Sequence, residues 1–112
     1  MSGSQEQRKD PRVAIDITLD LFARGSVVSR GPGRITDLSL GGVKIETKAV
    51  FHIGEHVVLR FDLTGNIPLY IEGAIVRRLT HPNSIDYGVK FTSLGFFKKL
   101  KMKQFVLARL TR

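Results

Sequence analysis

The 112-residue sequence contains no cysteine, and this absence excludes two kinds of small domain. A disulfide-stapled scaffold needs cysteine pairs, and the commonest structural zinc sites need thiolate ligands. Stability must therefore come from an ordinary hydrophobic core. With 42% apolar residues, the chain is long enough to form one core of modest size.

Long hydrophobic runs are also missing. No apolar run approaches the roughly 18 residues that a membrane span requires. Residues 1–10 are polar and lack the apolar stretch of a signal peptide. These features predict a cytoplasmic protein with one domain, in which residues 1–7 form a flexible terminus and residues 8–112 form the folded part.

Acidic residues are scarce. Ten Asp and Glu stand against eighteen Lys and Arg, so the net charge is +8. This excess favours an anionic partner, which could be nucleic acid, a nucleotide or a membrane surface. A bland explanation applies to Lys98, Lys99, Lys101 and Lys103, which would form the solvated face of a helix.

Alternation of apolar and polar residues dominates residues 13–91 and predicts strands with one buried face. Gly73 interrupts one strand and predicts a bulge. Phe61, Tyr87 and Phe91 are expected to face the core. The predicted strands cover residues 13–21, 27–29, 34–40, 43–47, 57–62, 67–79 and 85–91.

The pattern changes after Phe91 to helical spacing over about residues 93–110, with Thr92 or Ser93 as the cap. Met102 and Phe105 fall off the apolar stripe, which indicates either a partner surface or an irregular helix. Short strands followed by one helix predict an antiparallel β-barrel with a C-terminal α-helix. The stripe expected to face the barrel consists of Phe96, Leu100, Leu107 and Leu110, flanked by Phe97 and Val106.

Two arginines four residues apart, Arg8 and Arg12, flank Lys9-Asp10-Pro11 in an exposed arm. In an extended chain they lie about 13 Å apart, which suits the two sides of a dinucleotide-sized anion. A guanidinium can pair with phosphate oxygens, with the O6 and N7 atoms of guanine, or with a purine face. By itself, this spacing is more typical of a solvated basic tail.

The second motif is Asp37-Leu38-Ser39-Leu40-Gly41-Gly42. In a strand, Asp37 and Ser39 share the outer face, where a carboxylate accepts hydrogen bonds from guanine N1 and N2. Gly42 permits a positive φ and close approach of a ligand to the backbone. The alternative is a hairpin turn in which Asp37 and Ser39 bind local backbone groups.

Together, the two motifs resemble those of the PilZ domain family of bacterial cyclic di-GMP receptors. The segments Gly73-Ala74-Ile75-Val76-Arg77 and Tyr87-Gly88-Val89-Lys90-Phe91 are similar to two later strands of that family. The resemblance implies a six-stranded antiparallel barrel with a flexible N-terminal arm that closes over cyclic di-GMP. It implies no enzyme activity and no cofactor. The implied ligand-binding residues are Arg8, Lys9, Arg12, Asp37, Ser39, Gly41, Gly42 and Arg77.

One neighbouring position departs from the family. Many members carry a further arginine where this sequence has Gln7. In the family, that position is linked to whether one cyclic di-GMP or a stacked pair is bound. The ligand stoichiometry therefore stays open.

The expected output is a signal passed to a partner protein or to a second copy of the chain. Two alternatives remain: a ligand-free protein-interaction module, and a basic nucleic-acid-binding barrel. The second would require exposed stacking aromatics. No metal site is expected at His52 and His56, which flank Gly54 without a third ligand. A hydrolytic triad of Asp37, Ser39 and His81 is discounted because no nucleophile elbow surrounds the serine.

Overall fold

The computed structural model describes residues 12–63 and 68–110. Within them, six antiparallel strands close into a barrel in the order β1-β2-β3-β6-β5-β4, so that β4 pairs back onto β1. One helix follows the last strand. The elements are β1 (Arg12–Ala23), β2 (Pro32–Ser39), β3 (Gly42–Thr47), β4 (His56–Phe61), β5 (Leu69–Thr80), β6 (Ile85–Ser93) and α1 (Phe96–Leu110). The predicted barrel with a C-terminal helix is confirmed. Arg8, Lys9 and the rest of the predicted flexible arm lie outside the described residues.

Alternation along the strands places one side chain in two inside the barrel, as the sequence predicts. In β4, Val57, Leu59 and Phe61 are buried, while the residues between them are partly exposed. The expected bulge at Gly73 is present as a register shift against β6. A Cβ at Gly73 would lie 2.6 Å from Val89 Cγ1 and 2.8 Å from the Lys90 carbonyl oxygen, so only glycine fits there.

Tyr87 is the largest side chain of the core. Its hydroxyl donates a hydrogen bond to the Ala49 carbonyl oxygen at 2.7 Å and accepts one from the Phe51 amide at 2.8 Å. The rings of Tyr87 and Phe51 meet edge to face, with centroids 5.8 Å apart. This one side chain therefore ties the β3–β4 connection to the barrel interior.

The predicted strand at residues 27–29 is wrong. Val27 and Val28 are exposed in the connection between β1 and β2. The serine hydroxyls explain why no ladder forms there. Ser26 Oγ accepts a hydrogen bond from the Val28 amide, and Ser29 Oγ accepts one from the Gly31 amide, so local bonds replace strand pairing.

The prediction for the helix is wrong at its start. Thr92 and Ser93 extend β6, and Ser93 pairs with Glu72 of β5. The helix begins only at Phe96. It has 15 residues, and no helix in the described part of the chain is long and apolar enough to cross a bilayer.

The prediction for the inner face of the helix is also wrong. Met102 and Val106 are buried, at 0% and 1% exposure, and Phe105 packs against the core. The exposed fractions of Leu100, Leu107 and Leu110 are 42%, 45% and 46%. The side chain of Phe96 lies outside the described part. The helix is apolar on two faces, and the barrel covers the one that carries Met102 and Val106.

Candidate ligand-binding site

A tight hairpin joins β2 to β3 and carries the second sequence motif. Ser39 ends β2 and Gly42 begins β3, with Leu40 and Gly41 between them. The Ser39 hydroxyl donates to the Gly42 carbonyl oxygen and accepts from the amides of Gly41 and Gly42, each at 3.3 Å. Ser39 is 9% exposed, and its hydroxyl is directed into the turn. The structure thus matches the hairpin alternative for Ser39.

Asp37 and Arg12 form an ion pair on the outer wall of the barrel. The Arg12 Nη1 atom lies 3.8 Å from Asp37 Oδ2, and the two side chains are 40% and 28% exposed. β1 and β2 bring them together because Arg12 pairs with Ser39 and Ala14 pairs with Asp37. The first residue of the described chain is therefore already in contact with the second motif.

Gly42 is required for a reason other than the one that its motif suggested. Its φ is not positive; among the described residues, positive φ values occur at Gly25, Gly31 and Gly54. A Cβ at Gly42 would instead lie 2.4 Å from the carbonyl oxygen of Val89 on β6. Only glycine lets β3 approach β6 this closely.

Gly88 leaves a gap in the outer wall between two basic side chains. It pairs with Lys44 on one side and with Arg77 on the other. Since neighbouring strands lie about 4.8 Å apart, the backbones of Lys44 and Arg77 are about 10 Å apart. A Cβ at Gly88 would come within 3.2–3.5 Å of the Arg77 side chain, which therefore leans over the gap.

These features surround one shallow cavity of about 190 Å³. Its floor is the backbone at Gly42 and Gly88. A register shift between Ile75 and Arg77 adds Val76, which is half exposed, to one side. The lining residues are Arg12, Ser39, Gly41, Gly42, Val43, Lys44, Val76, Arg77, Gly88, Val89 and Lys90.

Positive charge dominates this cavity. Four of the lining residues are cationic, and none is acidic. Asp37 stands beside it through Arg12. An adjoining cavity adds Arg78 and Asp86, and Asp86 is bound to the Nε2 atom of His81 at 2.9 Å. A compact anion with one hydrogen-bond donor edge would match these groups.

A larger cavity of about 700 Å³ lies at the opposite end of the β2–β3 hairpin. Its charges are largely satisfied within the protein. Arg34 contacts Glu46 at 2.6 Å and Asp16 at 3.3 Å, and the Arg34 hydrogen bond, followed by one from Ser84, lowers the pKa of Glu46. We therefore place the candidate site at the cavity of about 190 Å³, where basic side chains surround the partly exposed backbone of Gly42 and Gly88.

The structure brings five predicted residues to one cavity, with Asp37 next to them, and it adds others that the motifs did not indicate. Lys44 is visible in the sequence only as an outward position of β3. Gly88 and Lys90 lie in the segment that resembles a family strand, but the resemblance implies no ligand-binding role for them. Pairing of β6 with both β3 and β5 is what brings them to the cavity, and the alternation pattern does not reveal strand neighbours.

The PilZ domain model matches residues 6–108, which is nearly the whole chain. The chain belongs to the PilZ domain family. The PilZ match spans all six strands and most of the helix. No curated protein sequence in the comparison matches the chain.

Several solved structures share the PilZ fold with this chain. The PilZ domain of YcgR from Escherichia coli with c-di-GMP superposes with a TM-score of 0.71 at 13% identity, covering 95% of each chain. The Bacillus subtilis inhibitor of motility MotI/DgrA gives 0.78 at 13% identity over 94% of this chain. The K. pneumonia MrkH–c-di-GMP complex gives 0.75 at 14% identity, again over 94%. This chain spans about half the length of the last two, 52% and 53%.

Proposed function

We propose that this PilZ domain is a receptor for cyclic di-GMP and binds it at the cavity between Arg12, the β2–β3 hairpin and Gly88. The observation that carries the proposal is the convergence of four basic side chains on a floor of bare glycine backbone. Family membership supports it, as do the c-di-GMP complexes among the structural neighbours.

The chemistry of the cavity fits each part of this ligand. The phosphodiesters carry negative charge, which Arg12, Lys44 and Lys90 can neutralise. The bare backbone at Gly88 lets a flat purine approach the wall, and the Arg77 guanidinium can stack on its exposed face. The Asp37 carboxylate can accept from the N1 and N2 atoms of guanine.

Ser39 has an indirect part in the proposal. Its hydroxyl makes three hydrogen bonds within the hairpin, so it holds Gly41 and Gly42 in place beneath the ligand. A direct contact with guanine would have to break these bonds. We therefore assign Ser39 to shaping the site and Asp37 to reading the base.

Arg8 and Lys9 belong to the proposal but lie outside the described residues. They precede Arg12 by four and three residues, within reach of a ligand seated at this cavity. We propose that ligand binding orders this arm, and that the entropy cost is offset by charge-assisted hydrogen bonds and stacking. The ordered arm would then form a new surface for a partner protein.

We propose a binding protein and not an enzyme. The Ser39 hydroxyl is bonded into the hairpin, and His81 is bonded to Asp86, on the turn and strand that follow β5. Neither side chain is arranged as a nucleophile with its base.

Isothermal titration calorimetry with cyclic di-GMP tests the proposal. Arg12→Ala and Asp37→Ala should each weaken binding by about 1–3 kcal/mol, since each removes a charged hydrogen-bonding group. Arg24→Ala is the matched control, because Arg24 directly follows β1 and also pairs with a carboxylate, that of Glu72 at 3.6 Å. Its variant should bind like the unmodified protein.

The same titration gives the stoichiometry that Gln7 leaves open. Absence of heat at a ligand concentration of about 1 mM would show that the chain is not a cyclic di-GMP receptor. A ligand-free interaction module predicts that result. A nucleic-acid-binding barrel predicts salt-dependent binding of single-stranded RNA instead.

A further inference from the structure

The outward face of α1 is apolar where a surface helix is normally polar. Leu100, Leu107 and Leu110 are each more than two-fifths exposed, and Phe97 is 81% exposed. On the opposite side, Met102 and Val106 make the contact with the barrel. The helix therefore satisfies the core and still presents a second apolar stripe to solvent.

This stripe has the spacing of a helix-packing seam. Phe97, Leu100, Gln104 and Leu107 are three, four and three residues apart, which is the a and d pattern of a coiled coil. At a rise of 1.5 Å per residue, the seam from residue 97 to residue 107 is about 15 Å long. A second helix packed along it would bury Leu100 and Leu107 at its centre.

The charges beside the seam select the partner. Lys101 and Lys103 occupy the e and g positions on the two sides of the seam, and Lys99 lies beyond Lys103. All three are exposed. The sequence of α1, Phe96–Leu110, contains no acidic residue. Two copies packed seam to seam would oppose lysine with lysine, whereas an acidic helix would pair with them.

The helix is also joined to the candidate ligand site. It contacts β1 and β2, the strands that carry Arg12, Asp37 and Ser39. A change at the outer wall of these strands can therefore reach the helix through direct packing. This places the seam where a receptor would need its output surface, although the seam does not depend on the identity of the ligand.

We propose that the stripe of Phe97, Leu100, Gln104 and Leu107 is a docking seam for a partner helix that has apolar a and d residues and acidic e and g residues. The partner seats its apolar residues on the two leucines. Its carboxylates face Lys101 and Lys103. This surface lies on the opposite face of the helix from Met102 and Phe105. The sequence pattern offers those two residues as a partner surface, but they pack against the barrel.

A synthetic peptide of about four heptads, with Leu at a and d and Glu at e and g, is the probe. Fluorescence anisotropy of the labelled peptide should rise saturably when protein is added to about 100 µM. The double variant Leu100→Ser with Leu107→Ser should bind at least about tenfold more weakly, because both central contacts are removed. Both leucines are partly exposed, so thermal unfolding should show an intact fold.

Two controls isolate the seam. Val27→Ser changes a side chain that is 93% exposed in the β1–β2 connection and should bind the peptide normally. The same peptide with Lys at e and g should not bind. Equal binding of the Lys peptide, or unchanged binding by the double variant, would overturn the proposal.

Two further measurements distinguish other occupants. Cosedimentation with phosphatidylglycerol–phosphatidylcholine vesicles, without peptide binding, would assign the seam to an anionic membrane surface and overturn the helix partner. Sedimentation velocity showing a dimer that the double variant abolishes would assign it to a second copy, with the same consequence. The proposal expects a monomer that binds the acidic peptide and ignores the vesicles.

Discussion

At the residue scale, the two glycines in the floor of the site differ in their tolerance for a side chain. A Cβ at Gly42 meets a backbone oxygen at 2.4 Å, and the backbone of β6 cannot retreat without losing its ladder. A Cβ at Gly88 meets only the side chain of Arg77, at 3.2 Å and beyond. One glycine is required by the fold, and the other keeps space free on the surface.

Gly88→Ala should therefore weaken cyclic di-GMP binding with little change in stability. The added methyl group displaces Arg77 and occupies the floor, at an expected cost of about 1 kcal/mol in binding. Gly42→Ala should instead destabilise the fold by about 1–3 kcal/mol. Urea unfolding and calorimetry of both variants check the contrast. Equal loss of stability in the two variants would contradict it.

The motif residues illustrate what could be predicted at this scale. The sequence identifies Asp37 and Gly42 as special, because a carboxylate and two glycines at a strand end are unusual. It does not reveal that Gly42 is needed for contact with β6, since that contact joins residues far apart in the chain. The sequence does not identify Lys44 or Gly88 for the same reason.

At the element scale, the far end of the β2–β3 hairpin is held by charge. Arg34 and Glu46 face each other across the ladder, and their side chains meet at 2.6 Å. Ser84 of the β5–β6 turn donates a further hydrogen bond to Glu46 at 3.1 Å. These bonds favour the charged carboxylate, so the pKa of Glu46 is lowered below 4.5.

A lowered pKa in the folded state gives a stability contribution that is present above pH 4.5 and is lost as the pH falls through the lowered pKa of Glu46. Glu46→Gln removes that contribution at every pH. The variant should therefore lose less free energy of unfolding than the unmodified protein as the pH falls below 4.5. Urea titrations of both proteins at pH 7 and below pH 4.5 measure how much free energy of unfolding each one loses. Equal losses in the two proteins would show that the ion pair adds no pH dependence.

The helix carries a second prediction at this scale. Met102→Ala should cost about 2–5 kcal/mol of stability, because it opens a cavity against the barrel. Leu100→Ala, on the exposed seam, should cost about 0.5 kcal/mol or less. Thermal and urea unfolding of the two variants show which substitution costs more stability. The reverse order would place Leu100 on the barrel side.

The sequence could not predict which face of the helix packs against the barrel, because the helix has two apolar stripes. Leu100 and Leu107 form one stripe, and Met102 and Val106 form another. A hydrophobic pattern identifies an apolar stripe as buried but does not say whether the protein itself or a partner covers it. The strands had no such ambiguity, because the alternate residues of β4 and β6 are clearly less apolar.

At the scale of the whole molecule, the barrel closes by pairing β1 with β4, so no strand edge is left open among the described strands. Alternation in the sequence assigns each strand an inner face but does not give its neighbours. The order β1-β2-β3-β6-β5-β4 places β6 between β3 and β5, and this order creates the site. The resemblance to a family implies six strands in a barrel but not this order.

Ligand binding should stabilise the whole barrel. Cyclic di-GMP at 100 times its Kd should raise the free energy of unfolding by about 2.7 kcal/mol, since the unfolded chain has no assembled site. Thermal unfolding with and without ligand measures this. Cyclic di-AMP at the same concentration, which has the same charge without guanine, should have a much smaller effect. An equal shift in thermal unfolding with both ligands would show that the site binds anions without recognising guanine.

The contact between Arg12 and Asp37 has a consequence for selectivity. Each group competes with the ligand for its partner. The Asp37 carboxylate contacts the guanidinium to which a phosphate would bind, and the Arg12 guanidinium contacts the carboxylate to which a guanine would bind. A simple anion releases Arg12 but leaves Asp37 without a counter-charge. Only a molecule that brings an anion and a hydrogen-bond donor edge together can replace both halves of the pair at once. Because the pair is exposed and its atoms are 3.8 Å apart, we expect it to give such a molecule a modest advantage over simple phosphates.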